Sequence, residues 1–174
     1  MRDVREGNGM SKRYEVLLDY LEHDGGTKFY ETVRITELVD DKRFGASILL
    51  QRWGKIEANT GGGQIKTVNG SINTTDSART KILKEKMTPR AGKGVYNRAA
   101  APVFGLGRIV PASNLPREVK AEDLYSALNE HYGPASCDIV VKYFDMHEER
   151  GAEPADDIVS EGEEHDRGTN WASW

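Results

Sequence analysis

Residues 14–38 read YEVLLDYLEHDGGTKFYETVRITEL, and the way this stretch folds decides the architecture. Two β-rich runs flank HDGG, in which Asp24, Gly25 and Gly26 supply turn chemistry. After the turn, Phe29, Glu31, Val33 and Ile35 share one parity, and Tyr30, Thr32 and Arg34 share the other. Successive side chains of a strand point to opposite faces, so the alternation predicts a half-buried antiparallel pair. Working outward, VDDKRFG is a polar turn and ASILLQRWG a third strand. GGGQIKTVNGS then supplies a loop, a short fourth strand and a turn at Asn69-Gly70.

NTTDSARTKILKEKMTP is the clearest helix. Asn73, Thr74 or Thr75 can cap it, and Asp76 is expected in the first turn, where the helix dipole favours acids. Ala78, Ile82, Leu83 and Met87 recur on one side, while Arg79, Lys81, Lys84 and Lys86 fall mostly elsewhere, and Pro89 ends the run. Past Tyr96 the chain turns rich in Ala, Gly and Pro, which suits a connector crossing the surface of the preceding unit. KAEDLYSALNEHYGP predicts a second helix with Leu124, Ala127, Leu128 and His131 on its apolar side, ended by Gly133-Pro134. CDIVVKYF predicts a last strand, and everything from Asp145 onward is acidic, poor in apolar residues and expected to lack stable structure. The expected class is α+β: a small antiparallel sheet on one main helix, with a C-terminal helix-strand appendage and an acidic tail. The expected divisions are a polar N-terminal segment (1–11), a sheet-helix domain (12–98), a connector (99–118), the appendage (119–144) and the tail (145–174).

A chain of 174 residues with 37% apolar content suits one modest core. No apolar run approaches the roughly 18–20 residues of a membrane span, and the polar opening MRDVREGNGMSKRY does not read as a signal peptide. Cys137 is the single cysteine, so no intrachain disulfide forms, and a reducing, cytoplasmic setting fits best. The net charge of −4 conceals a separation: residues 51–98 hold ten Lys and Arg against three acids (+7), and residues 141–174 hold three against ten (−7). Such a separation suggests a polyanion-facing middle and an acidic end.

RWGK, at residues 52–55, lies in the basic region. Trp53 and Lys55 are two apart and face the same way on a continuous strand, and Gly54 between them permits close approach or a bulge. An indole ring suits stacking on a base and an ammonium suits a phosphate, a pairing fit for single strands or ends. Arg52, Gln64, Lys66, Arg90, Lys93 and Arg98 complete the candidate surface. A strand tryptophan is, however, commonly a core residue.

The ordered series TKFYETVRI, ILLQRWGKI, GGGQIKT and SINTTDSARTKILKEKMTPRAGKGVY resembles a WGR domain over about residues 12–98. The resemblance implies a small sheet-plus-helix unit that binds nucleic acid; in poly(ADP-ribose) polymerases such domains contact DNA breaks and relay that contact to a catalytic domain. By that likeness Trp53 would stack at a DNA terminus, Lys55 would meet phosphate and Gln64 would sit in the nearby loop. The signature arginine is replaced by Lys55, which keeps the charge and loses the planar bidentate fork. The 76 residues after Arg98 are too few for an ADP-ribosylating domain.

Enzyme signatures are poor. AGKG and GLG do not complete a phosphate-binding loop, and His23, His131, His147 and His165 show no metal-ligand spacing. HEER lacks the second histidine of a zinc-protease helix, and Cys137 reads as a buried, inert thiol. No catalytic residue, metal or cofactor is expected. The terminal NWASW places Trp171 and Trp174 after the acidic stretch, in the manner of interface anchors on a tether. Two functions follow as expectations: a non-enzymatic module binding DNA or RNA, at ends or as single strand, or an adaptor subunit of a larger assembly, such as a virion, that docks a protein through its tail.

Overall fold

A computed structural model describes residues 12–40, 43–56, 64–92, 94–113 and 115–149. The stretch quoted first folds as expected: β1 (Arg13–His23) and β2 (Lys28–Asp40) are antiparallel, with Leu21 opposite Tyr30 and Val16 opposite Ile35. The turn closes through the Gly26 N–H, which donates to the His23 carbonyl at 2.8 Å. β3 (Arg43–Lys55) pairs with β2, and β4 (Gln64–Gly70) pairs with β3. Register shifts on β2–β3 fall between Thr36 and Asp40; Gly54 lies opposite Phe29 in regular pairing, so the bulge considered at Gly54 is not there. α1 (Ile72–Met87) follows, then β5 (Tyr96–Arg98), α2 (Leu106–Ile109), β6 (Arg117–Lys120), α3 (Ala121–Tyr132) and α4 (Pro134–Glu149). The sheet order is β4-β3-β2-β1-β5, and β6 joins β1 on the same side as β5. The fold is α+β.

Both faces of this sheet are covered, and here the expected half-buried sheet is corrected. On one face Leu21, Tyr30, Leu49 and Trp53 pack against Ile82 and Leu83 of α1, with Ala78 and Met87 beside them. On the other, Val16, Leu18, Val33, Ile35, Ile48 and Leu50 meet Leu124, Ala127 and Leu128 of α3 and Val140 and Phe144 of α4. The two parities of β2 therefore serve two helical layers. Arg34 and Thr32 lie on the α1 side because they bond to Asp76 and Asp19, which is why a polar alternation persists inside a buried strand.

The segment expected as a last strand is helical. Cys137 to Phe144 lie within α4, where Ser136, Val140, Tyr143, Phe144 and His147 recur at helical spacing and are buried. Three consecutive β-branched residues, Ile139, Val140 and Val141, favour a strand locally. Burial of every third or fourth residue outweighs that preference, and Pro134 opens the helix with its pre-set φ. Cys137 is accordingly a half-exposed helical residue, its Sγ donating to the Tyr125 carbonyl at 3.4 Å, and burial pushes the thiol pKa up. Residues 145–149, expected in the tail, are helical too.

Two helix ends show the capping chemistry. Ser71 caps α1, its Oγ accepting from the Thr74 N–H at 3.2 Å, instead of Asn73, Thr74 or Thr75. The cap moved because the helix begins directly after β4, one residue earlier than its polar run suggests, and Asp76, expected in the first turn, accordingly lies beyond it. α3 ends at Gly133 (φ 95°), whose N–H donates to the Asn129 carbonyl. Among the described residues no helix is long and apolar enough to cross a membrane.

Candidate nucleic-acid interface

Arg52 and Trp53 are adjacent on β3, so they point to opposite faces, and both are buried, at 0% and 3% exposure. The sheet covers neither; the helical layers do. Trp53 stacks on Tyr30 with ring centroids 5.5 Å apart and planes 6° from parallel. Tyr96 meets Tyr30 edge-on, and the Lys86 ammonium sits 4.8 Å from the Tyr30 centroid. Burial, then the charges of Tyr96 and Glu85, hold the Tyr30 hydroxyl well above its ordinary pKa, and it donates to Gln51 Oε1 at 3.2 Å. An indole so enclosed is not offered to a base, and the expected stacking of Trp53 on nucleic acid is corrected by its packing.

Arg52 belongs to a buried polar group on the other face. Its Nε donates to Glu31 Oε1 at 3.3 Å, and its guanidinium lies between the rings of Phe29 (5.0 Å) and Tyr132 (4.9 Å). The Tyr132 hydroxyl donates to Glu31 Oε1 at 2.9 Å, and His131 Nε2 lies 3.0 Å from Glu31 Oε2. Glu31 and His131 are sealed from solvent. Burial alone would push the Glu31 carboxyl up. The hydrogen bond and charge of His131, the charge of Arg52 and the Tyr132 hydrogen bond outweigh it and hold the carboxyl below its ordinary value. The α2 loop closes this group: the Leu106 N–H donates to His131 Nδ1 at 3.3 Å. Gly105 there has φ 54°, and a Cβ on it would fall 2.5 Å from His131 Cβ. Arg52 is thus a core residue that ties β2 and β3 to α3, and its expected contact with nucleic acid is corrected on that ground.

A second ionic group lies under α1. Asp19, also buried, accepts from Arg79 Nε (2.6 Å) and Nη2 (3.0 Å), from Arg98 Nη1 (3.0 Å) and from the Thr32 hydroxyl (2.9 Å). Arg34 bridges Glu15 and Asp76, each at 2.6 Å. Arg98, a candidate contact, is partly exposed and already serves Asp19. Much of the +7 of residues 51–98 is therefore absorbed inside the fold.

Further basic residues lie at the end of β3 and on α1. Lys55 is exposed and lies in register with Lys28 across β2–β3. Parity puts both on the α1 side, beyond the Tyr30–Trp53 pair. The C-terminal half of α1 covers the same pair, which brings Lys81 and Lys84 to its solvent side, and Arg90 follows the helix. Lys55, Lys81 and Lys84 have no ion pair among the described residues, and Arg90 stands 3.7 Å from Glu85. Lys66 is half-buried on β4 opposite Gln51, and Gln64 opens that strand opposite Trp53. The structure thus sets Lys55 opposite the unanticipated Lys28, and leaves Lys81, Lys84 and Arg90 exposed on and after α1. Lys93, Trp171 and Trp174 lie outside the described residues.

Glu31, His131 and Tyr132 were not singled out as a group from the sequence. A signal existed: Glu31 interrupts the apolar parity of Phe29, Val33 and Ile35, and His131 falls on the apolar side of its helix. A carboxylate and an imidazole on facing apolar stripes are candidates to meet.

The chain matches no family model, no curated protein and no solved structure.

Proposed function

We propose that the protein is a non-enzymatic, WGR-like nucleic-acid-binding module that meets the phosphate backbone through a lysine rim. The rim comprises Lys28, Lys55, Lys81, Lys84 and Arg90. The observation that carries this reading is the register of Lys28 against Lys55. Like charges directly opposite each other on neighbouring strands repel, and a polyanion eases that repulsion because its phosphates attract both ammonium groups and release condensed counterions. Supporting a binding role over catalysis, the Glu–His–Tyr–Arg group found among the described residues is buried.

Lysines at a rim contact backbone without reading bases, so the expected preference is for geometry and charge over sequence. The test is a fluorescence-anisotropy titration of blunt duplex, nicked duplex and single-stranded oligonucleotides, DNA and RNA, across a salt series. Lys28→Ala/Lys55→Ala should weaken binding and make the log–log salt dependence on duplex shallower by about 1.8, from roughly 0.9 per lost phosphate contact. Its melting temperature should hold or rise. An unchanged salt slope at unchanged stability would falsify the rim as the contact surface.

The adaptor reading has one observation in its favour. Ile139 and Met146, seven residues apart on the solvent side of α4, are 49% and 50% exposed. Absence of binding to every oligonucleotide in that panel would favour it.

A further inference from the structure

We infer that His131 is a proton-operated latch on the α2 loop, exchanging a bond on one side of Gly105 for a bond on the other when its ring becomes an imidazolium. The observation that carries the inference is a ring nitrogen with two incompatible partners. His131 Nδ1 lies 3.3 Å from the Leu106 amide nitrogen, whose N–H donates to it, and 3.2 Å from the Phe104 carbonyl oxygen, which only accepts. A bare ring nitrogen serves the first and a protonated one serves the second; neither form serves both. The other ring nitrogen has no such choice. Nε2 faces both Glu31 oxygens, at 3.0 and 3.1 Å, with Arg52 Nη2 3.4 Å away. The Glu31 carboxyl, held below its ordinary pKa, accepts and does not donate, so Nε2 keeps its hydrogen. Any proton the ring gains therefore goes to Nδ1, the atom that faces the loop.

The groups around the ring are Glu31 from β2, Arg52 from β3 and Tyr132 from α3 itself. Tyr20 of β1 lies one ring further out, stacked on Phe29, and Arg108 of α2 is held by Glu130 at the exposed end of the α2–α3 contact. With His131 neutral, the charges of Glu31 and Arg52 cancel. With an imidazolium the buried group carries one net positive charge, which is tolerated where the new N–H finds an acceptor. The Phe104 carbonyl is the acceptor in reach. The Leu106 N–H, buried with its residue, then faces another N–H and has to turn away. Gly105, between the two groups, makes the exchange possible. Its φ is 54°, and a Cβ there would meet His131 Cβ at 2.5 Å, so the peptides on either side turn with no side chain in the way. The loop that moves carries Val103, which is 82% exposed, so a buried proton alters an apolar tip at the surface.

The test follows the native full chain by NMR from about pH 8, where an ordinary histidine is neutral, down to the onset of acid unfolding. It reads the His131 ring nitrogens together with the Leu106 and Gly105 amides; the Gly105 amide shares its peptide with the Phe104 carbonyl. At the start Nδ1 should be bare and Nε2 protonated. On acidification Nδ1 should gain a hydrogen while Nε2 keeps its own. With the same midpoint, the Leu106 amide should lose its protection from hydrogen exchange, corrected for the intrinsic rate, and the Gly105 amide should shift. The Leu106 response should follow His131 and not His23 or His147, and in a folded His131→Gln chain it should be absent. The native chain decides alone if that variant does not fold. A hydrogen already on Nδ1 at the start, an Nδ1 that stays bare until the chain unfolds, or a protonation that leaves Leu106 and Gly105 unmoved overturns the inference.

Discussion

Replacing Arg52 by methionine separates a structural arginine from a nucleic-acid ligand. Methionine fills a similar slender volume and leaves Glu31 with His131 and Tyr132 as its partners. The side chains of Arg52 and Glu31 are both wholly buried, so the loss is that of one member of a buried ion pair. Such losses cost about 3–5 kcal/mol, because the surviving charge stays out of water. In a chain of this size each kcal/mol moves the melting temperature by about 2–4 °C, so Arg52→Met should melt roughly 6–20 °C lower. Circular dichroism melts measure this, with anisotropy titrations run below the variant's transition. The affinity of the folded protein should stay within about twofold. A melting temperature unchanged to within about 2 °C, together with a tenfold weaker affinity, would refute the placement of Arg52 in the core. The pH dependence supplies a second readout. Glu31 has a folded pKa below its ordinary 4.5, so its stabilisation is complete above that value and is lost as pH falls through the folded pKa. Arg52 is one of the groups that hold it down, so in Arg52→Met the loss should be smaller and complete at higher pH, and in Glu31→Gln this part of the acid limb should vanish.

Trp53→Ala should cost about 3–5 kcal/mol of stability in urea unfolding, the usual range for emptying an aromatic core site, with little change in oligonucleotide affinity. A loss of affinity worth about 1–3 kcal/mol at native stability would instead mark Trp53 as a stacking platform. Gly105→Ala combines a left-handed φ with a Cβ placed 2.5 Å from His131 Cβ and 2.8 Å from its backbone. It should lower stability by about 1–3 kcal/mol as an overpacked site, seen as a lower urea midpoint at an unchanged m-value. A midpoint equal to the native one would mean that the α2 loop does not close on His131 as described.

The sheet was legible because its signals are local. The HDGG turn and the alternation of β2 depend only on neighbours in sequence, and so does the helical spacing of Ala78, Ile82, Leu83 and Met87. The second helical layer was not. Whether CDIVVKYF is strand or helix depends on what it packs against, and its β-branched run points the wrong way until Val140 and Phe144 are seen against the sheet. The same limit governed the candidate site. A tryptophan and an arginine in a basic region read alike on the surface and in the core, since the covering elements, α1 and α3, lie about 30 and 80 residues away in the chain. Lys55 was identifiable from the RWGK motif and stands as the exposed last residue of β3, whereas Lys28 becomes notable only once register sets it opposite.

The packing gives RWGK a role that does not require its aromatic to touch a ligand. Arg52 anchors the strand to α3 through Glu31, and Trp53 anchors it to α1 through the Tyr30 cluster. Consecutive residues thus clamp β3 between two layers, and the residue after Gly54 is held at a fixed point of the rim. That point is where Lys55 stands. A lysine on a clamped strand meets a phosphate with its backbone already ordered, so less entropy is lost on binding than from a mobile loop. On the proposed reading the arginine and tryptophan act on affinity only through the position of Lys55. Variants that preserve their packing, such as Trp53→Phe, should leave binding nearly unchanged, while Lys55→Ala should weaken it in a fully stable protein. The reverse ranking, with Trp53→Phe the more harmful to binding at equal stability, would return the tryptophan to the contact surface.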